Sequence, residues 1–312
     1  MKNTPPSKDL ITKMADGDSV PSTAVLKKSL KDLGISFRES GRRVQLQDPL
    51  ELLDKEKLRA NLNPEALELI SSIETHWSIG STNTYLMDRT GQQDFHGLIC
   101  LAEQQVSGRG RRGRHWVSPF AKNISLSIGW QLSSAVGIAG LSLVIGMQVV
   151  KSLRSMGLVE VGLKWPNDVL LNGGKLCGIL IEIGTPKKGN LDVVIGVGVN
   201  LQLDPIDAKE IDQPWSTVSD VTHISRNELV SLLISNLILE LERFSKTGFM
   251  SYRENWREFD LYFGQDVRVL IGDRVVEGTD HGVDEEGNLL LKTKSRIETF
   301  NAGEVSLRPA DY

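Results

Sequence analysis

The chain has 312 residues, 40% of them hydrophobic, and a formal net charge of −4, enough for two or three domains around a substantial core. The bulk charge does not attract polyanions, which argues against a dedicated nucleic-acid binder and confines any phosphate chemistry to a local basic patch. No apolar leader opens the sequence, no apolar run is long enough to span a bilayer, and Cys100 and Cys177 sit in apolar runs as free thiols, so the expected location is the reducing cytoplasm, with no membrane partner.

In chain order, residues 8–14 and 22–33 have helical apolar spacing, and residues 35–46 alternate as a short ribbon around Ser40-Gly41. Residues 51–62 read as a charged connecting helix. Together these form an N-terminal module over residues 1–62. Residues 63–262 form a second domain, in which 98–102, 124–130, 161–163, 169–171, 178–183 and 193–199 read as strands. A buried helix over 137–156 must pack across them, and 226–245 and 250–259 read as further helices. From 263 to 312 the pattern becomes short strands (267–271, 275–278, 289–292, 297–300, 305–307) joined by turn signals, as in a small closed SH3-like β-barrel. The fold class is therefore α+β: a mixed sheet packed with helices, between a small N-terminal module and a C-terminal barrel.

Three motifs carry chemistry. GRGRRGR (108–114) puts four arginines and three glycines in seven residues; glycines let backbone N–H groups converge, and guanidinium forks bind phosphate oxygens bidentately. The alternative is a solvated or nucleic-acid-binding segment, but placement between two buried strands favours a positioned active-site loop. It is not a Walker A motif. The second motif, KWPNDVLLNGGKLCGILIE (164–182), places Lys164 and Lys175 with the carboxylate of Asp168 and the amide of Asn167 around a glycine turn; Asn167 and Asp168 can hold a hydroxyl or magnesium, and Lys175 can reach a phosphate or carboxylate oxygen. Singly, each of these residues has an ordinary structural explanation. The third, IGVGVN (195–200), lacks the third glycine of a dinucleotide fingerprint and leads into no helix, so its glycines suggest close approach by a ligand or a packed strand. The five histidines have no zinc-ligand spacing, and no nucleophile elbow occurs; no protein-built metal site and no covalent hydrolase chemistry are expected.

In order and spacing, GSTN (80–83), EQQVSGRGRRGR (103–114), KWPND (164–168), GKLCGILIE (174–182) and GVGVN (196–200) resemble the bacterial biotin protein ligases, in particular the bifunctional ones that also repress the biotin operon. The resemblance covers residues 73–312. It implies that biotin carboxylate attacks the α-phosphate of ATP to give biotinyl-5′-AMP and pyrophosphate, after which a lysine of a biotin carboxyl carrier protein, an acetyl-CoA carboxylase subunit, attacks the anhydride. Magnesium would enter with ATP, and no tightly bound cofactor is implied. By matching positions, Ser81, Thr82, Asn83 and Gln105 would meet the biotin rings, with Gly178, Gly196 and Gly198 as a backbone-lined wall. Arg109, Gly110 and Arg111 would cover the ligand, and Lys175 would bind the carboxylate or phosphoryl oxygen. Arg111, Arg112, Trp116, Asn167, Lys175, Asn200, Trp215 and Arg308 would contact the adenylate. Arg111, Lys164, Asp168 and Lys175 would carry catalysis. A homodimer strengthened by the adenylate is also implied.

The N-terminal module departs from the bifunctional pattern of three helices and a β-wing. Only residues 15–21 separate its two helices, so a truncated winged-helix-like module lacking the middle helix is expected. Lys27, Lys28, Lys31, Arg38, Arg42 and Arg43 make a basic face suited to operator DNA, which is also what a solvated surface looks like. The alternative function is therefore a biotinyl-AMP-responsive repressor of biotin synthesis genes. A lipoate ligase on a related fold is a third reading, disfavoured by the arginine-glycine loop.

Overall fold

A computed structural model describes residues 7–184, 189–303 and 305–310. The N-terminal module contains α1 (Lys8–Ala15), β1 (Val20–Pro21), α2 (Ala24–Asp32), β2 (Phe37–Ser40) and β3 (Arg43–Leu46). Thr23 caps α2 by accepting from the Leu26 N–H at 3.1 Å. Where a middle helix would lie, β1 pairs instead with β3, giving the sheet order β1-β3-β2. Ile11, Met14, Val20, Leu26, Leu30 and Val44 form a core of their own.

The connecting segment corrects one expectation. Residues 51–62 are not one helix: α3 (Lys55–Ala60) starts only after Asp54, which caps it, and α4 (Pro64–Glu68) follows. Glu51 is drawn out of the helix because its carboxylate accepts from the Ser225 hydroxyl at 2.8 Å and from the N–H groups of Arg226 and Asn227 at 2.6 and 3.0 Å. These donors open a longer helix, α7 (Arg226–Thr247), whose N-terminus favours a carboxylate.

The central domain is built on β4 (Ser72–His76), α5 (Thr82–Met87), β5 (Leu98–Ala102), β6 (Asn123–Ser133), α6 (Leu141–Ser155), β7 (Val161–Lys164), β8 (Asp168–Leu171), β9 (Gly174–Ile183), β10 (Asn190–Asn200), α7 (Arg226–Thr247) and α8 (Arg253–Trp256). Its seven strands run β4-β5-β6-β10-β9-β8-β7, antiparallel except for β4 with β5. Side chains alternate across each strand. Ile124, Leu126, Ile128 and Trp130 of β6 and Val193, Ile195, Val197 and Val199 of β10 join α6 and α7 in the main core. Leu98, Cys100 and Val194 point the other way, to Leu86 of α5. Both cysteines are buried free thiols, and burial pushes them up beyond their ordinary range. The helix expected over 250–259 is only a short turn followed by α8, because the chain then pairs with the sheet edge: the Leu163 N–H donates to Phe259 at 2.7 Å, and the Leu261 N–H to Leu163 at 2.9 Å.

The C-terminal domain comprises β11 (Asp266–Ile271), β12 (Arg274–Val283), β13 (Leu289–Lys292), β14 (Ile297–Phe300) and β15 (Val305–Pro309), antiparallel in the order β14-β13-β12-β11-β15. It docks on the central domain through the Trp165 indole N–H, which donates to Gly287 at 3.0 Å. Among the described residues no helix is long and apolar enough to cross a membrane.

Candidate active site

Register and period decide what faces the cavity. Pairing aligns Lys164 with Asp168, Asp168 with Gly178, Gly178 with Gly198 and Gly198 with Ser125, so these five lie in one row across the sheet, opposite the helix-covered core. The neighbouring row is Leu180, Gly196 and Ser127. By simple alternation from Gly178, Lys175 would share the core face with Cys177. The register instead shifts by one residue between Val169 and Leu170, pairing Leu170 with Lys175. This bulge buries both Leu176 and Cys177 and turns Lys175 to the cavity face. The hairpin that leads to it turns on Asn172 and Gly173, with φ of 50° and 79°, the left-handed pair a tight β-hairpin needs.

The glycines on this face are occupied by neighbours. A Cβ at Gly196 would stand 2.2 Å from Asn83 Oδ1, and one at Gly198 2.6 Å from the Trp116 ring, so bare backbone lets α5 and the indole approach the sheet. Trp116 also lies beneath the Lys175 ammonium, 5.7 Å from the ring centre.

Around these rows lies a cavity of about 350 Å³. One end is a neutral polar cluster. Gln105 Oε1 accepts from the Thr82 N–H at 2.8 Å and its hydroxyl at 3.1 Å, and Gln105 Nε2 donates to Ser125 at 3.2 Å. The Ser127 hydroxyl lies 2.6 Å from Asn83 Oδ1 and 2.7 Å from Thr82 Oγ1. Ser81 caps α5. The other end is charged: Asp168 sits 2.7 Å from Lys175 Nζ and 3.4 Å from Lys164 Nζ. Burial by itself would raise the Asp168 carboxyl, but the two ammoniums outweigh it and hold it below the usual range. Burial also pushes the Lys164 ammonium down, against the pull of Asp168.

Residues 105–118 form a hairpin-like flap over the cavity, closed by Gln105 with Ser118 and Arg109 with His115, and by the Trp116 N–H donating to Gly108 at 2.9 Å. At its tip Arg112 takes a left-handed φ of 58°. Arg111 reaches across the mouth, donating to Asn167 Oδ1 at 2.8 Å and to the carbonyls of Ala302 and Gly303 in the C-terminal domain.

All the residues singled out from the sequence line this one cavity: Ser81, Thr82, Asn83, Gln105, Arg109, Gly110, Arg111, Arg112, Trp116, Lys164, Asn167, Asp168, Lys175, Gly178, Gly196, Gly198, Asn200, Trp215 and Arg308. Asn200 is the most committed of them: its amide donates to the Lys175 and Ser216 carbonyls at 3.2 and 3.4 Å, tying β10 to β9 and to the segment that carries Trp215. Ser125 and Ser127 escaped the sequence reading, although their alternation with Ile124, Leu126 and Ile128 marks them as the uncovered face.

Two family models match: the biotin/lipoate A/B protein ligase family over residues 77–200 and the biotin protein ligase C terminal domain over residues 262–308. The chain is 37% identical to the bifunctional ligase/repressor BirA of Escherichia coli, covering 91% of this chain and 87% of that protein. With the bifunctional ligase/repressor of Salmonella typhimurium the identity is 36% over the full length of both, and with the biotin–[acetyl-CoA-carboxylase] ligase of Mycobacterium tuberculosis 33% over 81% of this chain and 98% of that one. Among solved structures, a biotin protein ligase from Aquifex aeolicus in complex with biotin and ATP superimposes with a TM-score of 0.65 and 26% identity, covering 77% of this chain and 99% of that one.

Proposed function

The chain belongs to the biotin protein ligase family, and from that membership we propose that its cavity joins biotin to ATP and then passes the biotinyl group to a lysine of a biotin carboxyl carrier protein. The observation that carries this reading is the row Ser125, Gly198, Gly178, Asp168 and Lys164, with Lys175 turned onto the same face. Its neutral polar end suits a ureido ring, the Trp116 indole seated on its glycines a flat acyl chain, and its cationic end a carboxylate beside a triphosphate.

In the first step a biotin carboxylate oxygen forms a bond to the α-phosphorus of ATP, and pyrophosphate leaves with the electron pair of the broken P–O bond. Lys175, Lys164 and Arg111 offset the negative charge that builds on the phosphoryl oxygens. Magnesium would arrive with the nucleotide; Asp168 and Asn167 offer it oxygen donors, and the phosphates would complete its shell. In the second step the acceptor lysine ammonium gives one proton to solvent, and the neutral amine bonds to the acyl carbon. The acyl C–O bond of the anhydride breaks, AMP departs with that electron pair, and the second amine proton passes to solvent. With its carboxyl held low, Asp168 acts as an orienting counter-charge for the two lysines and the incoming ammonium rather than as a general base at neutral pH. Positioning supplies much of the acceleration, so no enzyme nucleophile is needed.

Incubation with labelled biotin, MgATP and a carrier domain tests the reading. Label on one carrier lysine, competed by unlabelled biotin and not by lipoate, is expected; no label on the carrier, or competition by lipoate and not by biotin, would overturn it.

A second function, repression of biotin synthesis genes in response to biotinyl-AMP, is favoured by the exposed Lys28, Lys31, Arg38 and Arg42 of the N-terminal module. Lys27 and Arg43 are engaged within it, with Glu39 at 3.3 Å and with Ser19 at 2.8 Å. A biotin- and ATP-dependent gel shift of the chain's own promoter is its test. Homodimerisation on adenylate binding belongs to the same reading and is checked by sedimentation with and without biotin and ATP. The unpaired buried cysteines support a cytoplasmic location.

A further inference from the structure

Glu182 closes the string GKLCGILIE but has no role in the site described so far, and it stands outside the cavity wall. It lies on β9 on the cavity side of the sheet, opposite Val194. Its two oxygens are divided between two structures. Oε2 accepts from Asn83 Nδ2 at 3.0 Å, and Oε1 is 2.7 Å from Arg109 Nη2. Asn83 is part of the fixed pocket: it is 4% exposed, its Nδ2 also donates to the Leu180 carbonyl at 3.2 Å, and its Oδ1 meets Ser127. Arg109 begins the arginine run of the flap, and its other nitrogen donates to Thr84 on α5 at 3.1 Å. A single carboxylate thus joins the polar end of the cavity to the base of its cover.

Resting on the biotin ligase reading, we propose that Glu182 is a positioning residue for that reaction: it tethers the flap at Arg109 to Asn83, so that the base of the cover is already set when biotin enters and only the tip must move. The side chains of Glu182 and Arg109 are 18% and 48% exposed. At that exposure the pair by itself contributes little to folding. Its effect falls on the arrangement of the flap, where a charge-assisted contact limits the conformations that must be lost on binding. Glu182 touches no reacting atom, so its removal weakens the hold on biotin more than it slows the chemical steps.

Glu182→Gln keeps an oxygen for Asn83 and removes the charge that holds Arg109. In the full chain, assayed with MgATP and carrier domain, the expected result is a biotin KM raised by roughly three- to tenfold with kcat within about twofold. Tryptic cleavage within residues 109–114 of the free chain should accelerate by a similar factor, with the thermal midpoint unchanged. Arg109→Gln breaks the same tether from the exposed side and, with cleavage scored after Arg111, Arg112 and Arg114 alone because Arg109 is itself a trypsin site, keeps the test open if the first variant folds poorly. The double variant should be no worse than the more impaired single one. A biotin KM and cleavage rate equal to wild type, additive effects in the double variant, or a loss confined to thermal stability would overturn the proposal. If the wild type transfers no biotin, the ligase reading falls, and the cleavage rates alone then decide whether the tether exists.

Discussion

The two faces of the central sheet come from the same strands and have opposite characters. On β6, Ile124, Leu126, Ile128 and Trp130 are sealed beneath α6 and α7, while Ser125 and Ser127 alternate with them on the cavity side. On β10, Val197 and Val199 join the core, and Gly196 and Gly198 make room on the opposite surface for Asn83 and the Trp116 ring. A period of two thus separates stability from chemistry one residue at a time. Substitutions on one face should unfold the protein without changing its affinity, and those on the other should do the reverse.

The sharpest break of that comparison is at Lys175, which reaches the cavity face only through the bulge. Lys175→Ala should lower adenylate formation by about 10²–10³-fold, read by pyrophosphate release from the folded protein, with a lower thermal midpoint in calorimetry because the buried Asp168 loses its nearer counter-charge. Arg111→Gly cuts the strap from the flap to Asn167, Ala302 and Gly303 and should speed escape of the activated intermediate by roughly ten- to a hundredfold; a variant that holds it as long as wild type would remove Arg111 from this role. Gly198→Val and Ile128→Ala make the paired test. The first drives a side chain into the Trp116 ring and should raise the biotin KM by at least about tenfold. The second should cost about 2–5 kcal/mol of stability in a denaturant titration and leave the KM of the folded protein alone.

The smallest effect concerns a buried carboxylate far from the flap. Asp168 is flanked by two cations and held low, whereas Asp280 is fully buried with Oδ2 unpartnered among the described residues. Burial first, and then the charge of Asp260, push the Asp280 carboxyl up to about 7. The folded chain then binds a proton at Asp280 that the unfolded chain has released, so this group's stabilisation is complete below pH 4 and is lost as pH rises towards 7. Asp280→Asn should therefore stabilise the protein at pH 8 by about 2 kcal/mol or less, and make no difference near pH 4. Equal thermal shifts at both pH values would contradict this.

Most cavity residues were legible in the sequence because they sit in short, unusual strings, whereas Trp215 and Arg308 lie outside those strings and Ser125 was not read at all. The arginine-glycine run, KWPND and the glycine-interrupted strand each announce themselves within a few residues. What the strings did not disclose depends on register and distant pairing. The bulge opposite Leu170 decides the direction of Lys175, yet no residue of GKLC marks it. Arg111 bonds to Ala302, 191 positions away, and Glu51 leaves its helix to cap one that begins at Arg226. Six of the seven strands in the central domain were readable to within a few residues from β-branched runs and turn glycines; β4 (Ser72–His76) was not read as a strand. The short helix α5 was not, because its start at Ser81 depends on a cap and on the bare backbone of Gly196 beneath Asn83.

The claim that one sheet face is a biotin-adenylating site is tested most directly by a single turnover of the full chain with biotin and MgATP. The account predicts that wild type releases one pyrophosphate per chain and retains one biotinyl-5′-AMP, that omission of biotin abolishes the release, and that Lys175→Ala slows it by orders of magnitude. Release that proceeds without biotin, or at an unchanged rate in Lys175→Ala, would contradict it.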